Sequence, residues 1–163
     1  MPFLSEDQRD QLRRIFAEQL GESVRLRLFT QPPPRLFVPG VEPCASCPEA
    51  EELVNELAAV SEKLEVAVHD VKQDPDTGRA YGINGMVPAV VLEPASNTSA
   101  GAGPPAGMGR IRFFGLPAGY EFSTLVADIL DLSNRRVDLS AAACEELQAL
   151  TEDVHLQVFV TPT

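Results

Sequence analysis

The hydrophobic period changes repeatedly along this chain, and this change most limits the folds that it can adopt. Val24 to Thr30 alternates apolar and polar residues with the period of two that a half-buried strand requires. After Cys47 the apolar residues recur at helical spacing, and Leu64, Val66 and Val68 then return to the period of two. Strands that alternate with helices are typical of α/β domains, so we predict this class.

More helices and strands are predicted before and after this strand-helix-strand segment. Ser5 and Gln8 are spaced as a capping box, which predicts an N-terminal helix. A short helix is expected around residues 79 to 82, and the apolar run from Val87 to Leu92 predicts a buried strand. A fourth strand is predicted at residues 110 to 114. The helix that follows carries an apolar stripe made of Phe122, Leu125, Val126, Ile129 and Leu130.

Two segments are predicted to be loops. Residues 32 to 39 are rich in proline and carry the chain toward Cys44, which favours a surface position for the helix start. Residues 94 to 109 contain small residues, polar residues, proline and a single Met. We expect this second segment to be a mobile excursion between strands.

Composition and charge exclude several classes of function. The chain has 163 residues and a formal net charge of -11, which argues against nucleic-acid binding because phosphate contacts need clustered Lys and Arg. No apolar run approaches the ~20 residues that span a membrane, and the first residues lack a basic segment followed by an apolar one. We therefore expect a soluble cytoplasmic protein without membrane contact.

Cys44 and Cys47 are separated by two residues, and Pro48 after them suits the first turn of a helix. A disulfide exchanger needs an accessible thiolate that attacks and a nearby thiol that resolves the mixed disulfide. Cys44, nearer the free N–H groups of the helix, is predicted to attack, and Cys47 is predicted to be the buried resolving sulfur. Neither role needs a metal or an organic cofactor, so no cofactor is predicted.

The spacing alone leaves other interpretations of this pair open. Two cysteines so spaced can be half of a zinc site or an inert structural pair. The remaining candidate zinc ligands are Cys144, His69 and His155, which provide no second ligand pair. We expect Cys144 to be a small buried or semi-buried helical residue rather than a third redox thiol, and His69 to be a solvated residue at a strand end.

Val87 and Pro88 form a second candidate site. Pro88 has no N–H and therefore suits the first residue of the apolar strand, where a trans peptide bond is the plain interpretation. A cis Val87–Pro88 bond would instead turn the backbone toward the sulfurs. The main-chain groups of Val87 would then be free to pair with an extended substrate peptide.

Three stretches resemble a known family: residues 44–48 (CASCP), 81–88 (YGINGMVP) and 114–122 (FGLPAGYEF). The chain resembles the thioredoxin-like superfamily and, within it, the glutaredoxin-like protein disulfide oxidoreductases built of two tandem thioredoxin-fold units. The resemblance implies a thioredoxin fold, with a central mixed four-stranded sheet flanked by helices. It also implies that Cys44 attacks, that Cys47 resolves and that Pro88 is a cis proline facing them.

The predicted function is therefore that of a thiol-disulfide oxidoreductase, of reductase or isomerase type, whose partners are disulfide-containing client proteins. The resemblance also implies a thioredoxin-reductase-like flavoprotein as the electron donor. One alternative is a non-catalytic thioredoxin-fold adaptor that presents the edge at Val87 to partners. A second alternative is a glutathione-dependent glutaredoxin, which the absence of a Cys-Pro-Tyr-Cys motif disfavours.

The two ends of the chain repeat one pattern. Leu4–Ser5, a helix and residues 24–29 resemble Leu139–Ser140, a helix and residues 154–159. A helix and one strand cannot bury both faces of a sheet, so the tail looks like the opening of a second copy of the fold.

From this repeat we expect residues 1–137 to form a thioredoxin-like unit with the redox site. Residues 138–163 are expected to be the opening helix and strand of a second, truncated unit, which would make the chain a fragment. The apolar residues of the tail strand, Val154 to Val160, need a partner. We expect this strand to extend the first unit's sheet or to pair between chains in a homo-oligomer.

Overall fold

The computed structural model describes residues 2–33, 43–96 and 111–160. Most of the two predicted loops and the start of the fourth predicted strand lie outside the described residues. Within them, no helix is long and apolar enough to cross a membrane.

Helices and strands follow one another in the predicted order. They are α1 (Glu6–Gln19), β1 (Val24–Thr30), α2 (Cys47–Ala58), β2 (Leu64–Asp70), α3 (Pro75–Ala80), β3 (Ala89–Pro94), β4 (Ile111–Phe114), α4 (Tyr120–Asn134) and α5 (Ala141–Gln148). The strands form one sheet in the order β2-β1-β3-β4. β1 pairs in parallel with β2 and antiparallel with β3, and β3 pairs antiparallel with β4. The predicted α/β class with a mixed four-stranded sheet is confirmed.

Two boundaries differ from the prediction. α3 begins at Pro75 rather than near residue 79, because the Asp74 carboxylate accepts the Thr77 N–H at 3.1 Å and caps a helix whose first turn holds the proline. β3 begins at Ala89 rather than at Val87 and continues to Pro94. Its start is displaced because the residue before it, Pro88, has no N–H to donate to a ladder.

β1 is buried on both faces, although its alternation predicts burial on one face only. Val24, Leu26 and Leu28 pack in the main core with apolar residues of α1, α2 and α4. On the opposite face Arg27 is only 7% exposed and Phe29 is fully buried. Tertiary packing over this second face explains the difference, since the alternation itself carries no information about what covers the polar side.

The second face of the sheet holds a polar cluster, made of the buried residues Arg27, Tyr81 and Glu93 and the half-buried His69. Glu93, 2% exposed, accepts hydrogen bonds from Arg27 Nε at 2.7 Å and from the Tyr81 hydroxyl at 2.9 Å. An Arg27 nitrogen lies 2.8 Å from His69 Nε2, and the His69 ring stacks on Phe29 with centroids 5.2 Å apart. His69 lies near the end of β2 as predicted, and it is half-buried, so Arg27 and Phe29 cover part of a side chain that was expected to be solvated.

Protonation in this cluster follows from burial and charge. Burial, together with the neighbouring Glu93, raises the pKa of Tyr81 to about 12, which keeps its hydroxyl a hydrogen-bond donor. Burial lowers the pKa of His69, and the positive charge of Arg27 lowers it further, against the smaller opposing effects of Asp74 and Glu93. The fold therefore favours the neutral imidazole.

Glu56 of α2 anchors the segment before α1. Its carboxylate accepts the N–H groups of Phe3 at 2.8 Å and Leu4 at 2.9 Å, and Arg9 donates to it at 3.0 Å. Burial acts to raise the pKa of this carboxyl, but these donors outweigh burial and lower it. The local sequence does not distinguish Glu56 from the exposed glutamates beside it.

The tail agrees with the prediction only in part. α5 forms, and the Ser140 hydroxyl accepts the Ala143 N–H at 3.2 Å as an N-cap. Residues 154–160 form no strand and are all exposed, and no fifth strand joins the described sheet. The expectation that they extend this sheet is therefore wrong for the single chain. Without a hydrogen-bonding neighbour these residues are not stable as a strand. Pairing between chains and a division at residue 137 stay predictions.

We expect Glu56→Gln to lower the free energy of unfolding by about 1–3 kcal/mol, because an amide accepts fewer hydrogen bonds and loses the ion pair. Urea denaturation measures the change. Glu52→Gln is the matched control on an exposed part of the same helix, and it should change stability by less than about 0.5 kcal/mol. Equal losses in the two variants would contradict the anchoring role.

We also expect stability to fall as the pH drops below about 6.5, the ordinary pKa of histidine. Since the folded-state pKa of His69 is lowered, the unfolded chain binds the proton more readily there, and the loss grows until the folded-state pKa is passed. His69→Gln should flatten this part of a plot of unfolding free energy against pH. His155→Gln, in the exposed tail, is the control and should keep the pH dependence of the unaltered protein. If His69→Gln also keeps that pH dependence, the loss of stability at low pH does not come from His69.

Candidate active site

Cys44 and Cys47 form a disulfide with an S–S distance of 2.05 Å and Cα atoms 5.4 Å apart. α2 begins at Cys47 with Ser46 as its N-cap, so Cys44 precedes the helix, and Cys47 is its first residue rather than one turn inside as predicted. Cys44 is half-buried, whereas Cys47 is 1% exposed. Cys47 is therefore the more buried residue of the pair, and the assignment of the attacking and resolving roles stays a prediction.

The connection from β1 through α2 to β2 places this disulfide. Because β1 and β2 are parallel, α2 must run back along the sheet, and its N-terminus lies at the carboxyl end of β1. The inner face of α2 is buried and holds the helix start in place. It consists of Cys47, Ala50, Leu53, Val54 and Leu57.

Val87 and Pro88 lie at the same end of the sheet. β3 is antiparallel to β1 and its first residue, Ala89, pairs with Phe29 near the carboxyl end of β1. The Val87–Pro88 bond is cis, and the Pro88 carbonyl accepts the Gly115 N–H at 2.8 Å. Val87 is half-buried, and no backbone hydrogen bond to it is formed within the described residues.

A cleft of about 570 Å³ opens beside the disulfide on the side of β2. Its lining residues come from the end of β1, the start of α2 and the end of β2: Thr30, Gln31, Pro32, Pro33, Cys47, Pro48, Glu51, Val68, Asp70 and Gln73. Sequence reasoning missed Glu51 and Asp70. Glu51 follows Cys47 by four residues, and residues so spaced share a helix face. This spacing could have placed Glu51 beside Cys47.

The other candidate residues lie apart from this site. Cys144 is a free, half-buried thiol on α5, and His155 is in the exposed tail. In the described part of the chain, no three His, Cys, Asp or Glu side chains are grouped so that they could hold a metal ion. The zinc interpretation therefore has no ligand set among the described residues.

No family model matches the chain. It is 26% identical over 115 residues to the alkyl hydroperoxide reductase protein AhpF of Staphylococcus epidermidis, and the alignment covers 71% of this chain and 18% of that protein. The chain thus spans less than a fifth of the length of this relative.

Two solved structures are similar over most of the chain. A protein disulfide oxidoreductase from Aeropyrum pernix K1 matches with a TM-score of 0.69 and 25% identity, covering 90% of this chain and 55% of that one. The C503A mutant of the alkylhydroperoxide reductase AhpF of Enterococcus faecalis matches with a TM-score of 0.67 and 26% identity, covering 91% and 61%. The chain therefore has a thioredoxin fold with a Cys-x-x-Cys disulfide at the carboxyl end of β1, and it is similar to protein disulfide oxidoreductases.

Proposed function

We propose that the chain is a thiol-disulfide oxidoreductase, of the protein-disulfide reductase or isomerase type, that exchanges disulfides with client proteins. The observation that carries this proposal is the Cys44–Cys47 disulfide at the start of α2, in which Cys44 is a half-buried residue and Cys47 a buried one. A purely structural disulfide has no need of one accessible sulfur, whereas exchange requires it.

In the reducing direction the two cysteines act in sequence. The Cys44 thiolate attacks one sulfur of the client disulfide, which forms a mixed disulfide and releases the other client sulfur as a thiolate that takes up a proton. Cys47 then loses its proton and attacks the Cys44 sulfur. This step closes the Cys44–Cys47 disulfide and releases the second client thiol, so two electrons have passed to the client.

The free N–H groups at the start of α2 favour a negative charge on the attacking sulfur. Cys44 precedes the helix and Cys47 is its first residue, so both sulfurs lie near the positive end of the helix dipole. Exposure then separates their roles, because the client must reach the attacking sulfur first.

Val87 and Pro88 are proposed to bind the client chain. The backbone groups of Val87 make no hydrogen bond within the described residues, and Val87 is half-buried at the carboxyl end of β1. An extended client segment could therefore add to the protein by main-chain hydrogen bonds at this residue.

The reaction needs an electron source to return the disulfide to two thiols. A thioredoxin-reductase-like flavoprotein is the proposed donor, as the family resemblance implies. A role in redox homeostasis of the cytoplasm is consistent with this donor, because the reducing cytoplasm keeps protein thiols reduced by such systems.

Insulin reduction with dithiothreitol tests the activity. We expect Cys44→Ser to reduce turnover to the rate of dithiothreitol alone, because no attacking thiolate remains. When Cys47→Ser is reduced beforehand and mixed with insulin after removal of dithiothreitol, it should accumulate a mixed disulfide at Cys44 that is visible by mass spectrometry, because no second thiol resolves it. Cys144→Ser, outside the site, should retain the rate of the unaltered protein. If the unaltered protein does not exceed the rate of dithiothreitol alone, the non-catalytic adaptor is favoured, and full activity in Cys44→Ser would contradict the role of Cys44.

Thiol alkylation tests the assignment of roles. When the reduced protein is treated with a limiting amount of iodoacetamide at neutral pH, we expect Cys44 to be modified about tenfold faster than Cys47. The physical reason is that thiolate reactivity requires access, and Cys47 is 1% exposed. Peptide mass mapping at early times gives the order, and earlier modification of Cys47 would reverse the two roles.

A further inference from the structure

We propose that the cleft beside Cys47 selects clients by charge and accepts a basic side chain located next to the client's disulfide cysteine. The proposal rests on the proposed function, since it names the class of substrate that the same site prefers. The cleft lies on the β2 side of the disulfide. It is a different surface from Val87, the residue proposed above for main-chain binding, which leads into β3.

The walls of the cleft combine apolar surface with negative charge. Pro32, Pro33 and Pro48 line it, and so does Val68, which is 45% exposed although it is apolar. The charged side chains among the described lining residues are Glu51 and Asp70, and both are carboxylates. The backbones of these prolines are restricted, so the walls of the cleft lose little conformational entropy when a side chain binds there.

The two carboxylates come from different elements. Glu51 lies one turn after Cys47 on α2, so the two side chains share a helix face. Asp70 is the last residue of β2, and its oxygens accept the Lys72 N–H and the Gln73 side-chain amide, both at 2.9 Å. These donors are neutral groups, so they hold the Asp70 carboxylate in position without cancelling its charge.

Lysine and arginine fit such a cavity. Their aliphatic stems pack on apolar surface while the charged group stays at a polar, solvated end. In this cleft the stem would lie along the prolines and Val68, and the cation would meet Glu51 and Asp70. An anionic disulfide such as oxidised glutathione would instead meet like charges, and the net charge of -11 adds to that repulsion.

The test uses three peptide disulfides that differ in one residue. Each is a symmetric dimer of acetyl-Gly-Cys-Xaa-Gly-amide, in which Xaa is Lys, Gln or Glu. The second-order rate constant for reduction by the fully reduced protein is measured by chromatography. Each constant is divided by that of the same peptide with dithiothreitol, because a neighbouring charge also changes the reactivity of the leaving thiol.

We expect the normalised constants to fall in the order Lys, Gln, Glu, with a Lys-to-Glu ratio of about 10 or more at low ionic strength. Added salt of about 0.5 M should reduce this ratio, since it screens charges at a surface cleft. Glu51→Gln should reduce the ratio by about threefold, and Glu51→Gln with Asp70→Asn should bring it near the value at high salt.

Glu52→Gln is the matched control. It removes the same charge from an exposed position on the same helix, and Glu52 does not line the cleft. The ratio should stay near that of the unaltered protein in this variant. An equal decrease in Glu52→Gln and Glu51→Gln would assign the selectivity to net charge and overturn the role of the cleft.

Failure of this proposal can be distinguished from failure of the proposed function. Reduction of all three peptides at equal normalised rates would overturn the charge selection and leave the oxidoreductase activity in place. Absence of reduction of every peptide would overturn both. Asp70→Asn removes an acceptor in the turn after β2 and can disturb that turn. Glu51 is an exposed residue of a helix, so Glu51→Gln is expected to fold and tests the proposal by itself.

Discussion

The parallel pairing of β1 with β2 is the constraint on which the rest of this structure depends. Parallel neighbours need a crossover, and α2 is that crossover, so the N-terminus of the helix must lie where β1 ends. The antiparallel pairing of β3 with β1 then returns Pro88 to the same end. The candidate site thus follows from the directions of the strands. The start of α2 and Pro88 are far apart in the sequence, but strand pairing alone brings both to one end of the sheet.

The two faces of β1 are stabilised in different ways. One face packs among apolar residues of three helices, where the hydrophobic effect acts without directional requirements. The other face combines an apolar cluster around Phe29 with the carboxylate of Glu93, which accepts hydrogen bonds from Arg25, Arg27 and the Tyr81 hydroxyl. A buried carboxylate is unfavourable unless its hydrogen-bonding capacity is used, and these three donors use it.

Local signals account for most of what the sequence predicted correctly. The capping box at Ser5, the alternation of β1 and the spacing of Cys44 and Cys47 each depend on residues a few positions apart, and their geometry is determined within one element. The parts that could not be predicted are contacts between distant segments. Glu56 reaches Phe3, and Glu93 reaches Arg27 across the sheet. In the sequence these residues look like any other charged residues. The tail shows the same limit, because residues 154–160 have the alternation of a strand but pair with neither edge strand of the described sheet, β2 or β4.

The cleft beside Cys47 and the backbone of Val87, which leads into β3, differ in chemistry, and this difference bears on how a client would be recognised. Main-chain hydrogen bonds at Val87 would bind any extended segment, because every residue except proline offers the same groups. The cleft on the β2 side contacts side chains, and its carboxylates distinguish one charge from another. Under the proposed function, general affinity for unfolded or extended clients and selection among them would therefore come from two different surfaces at one end of the sheet.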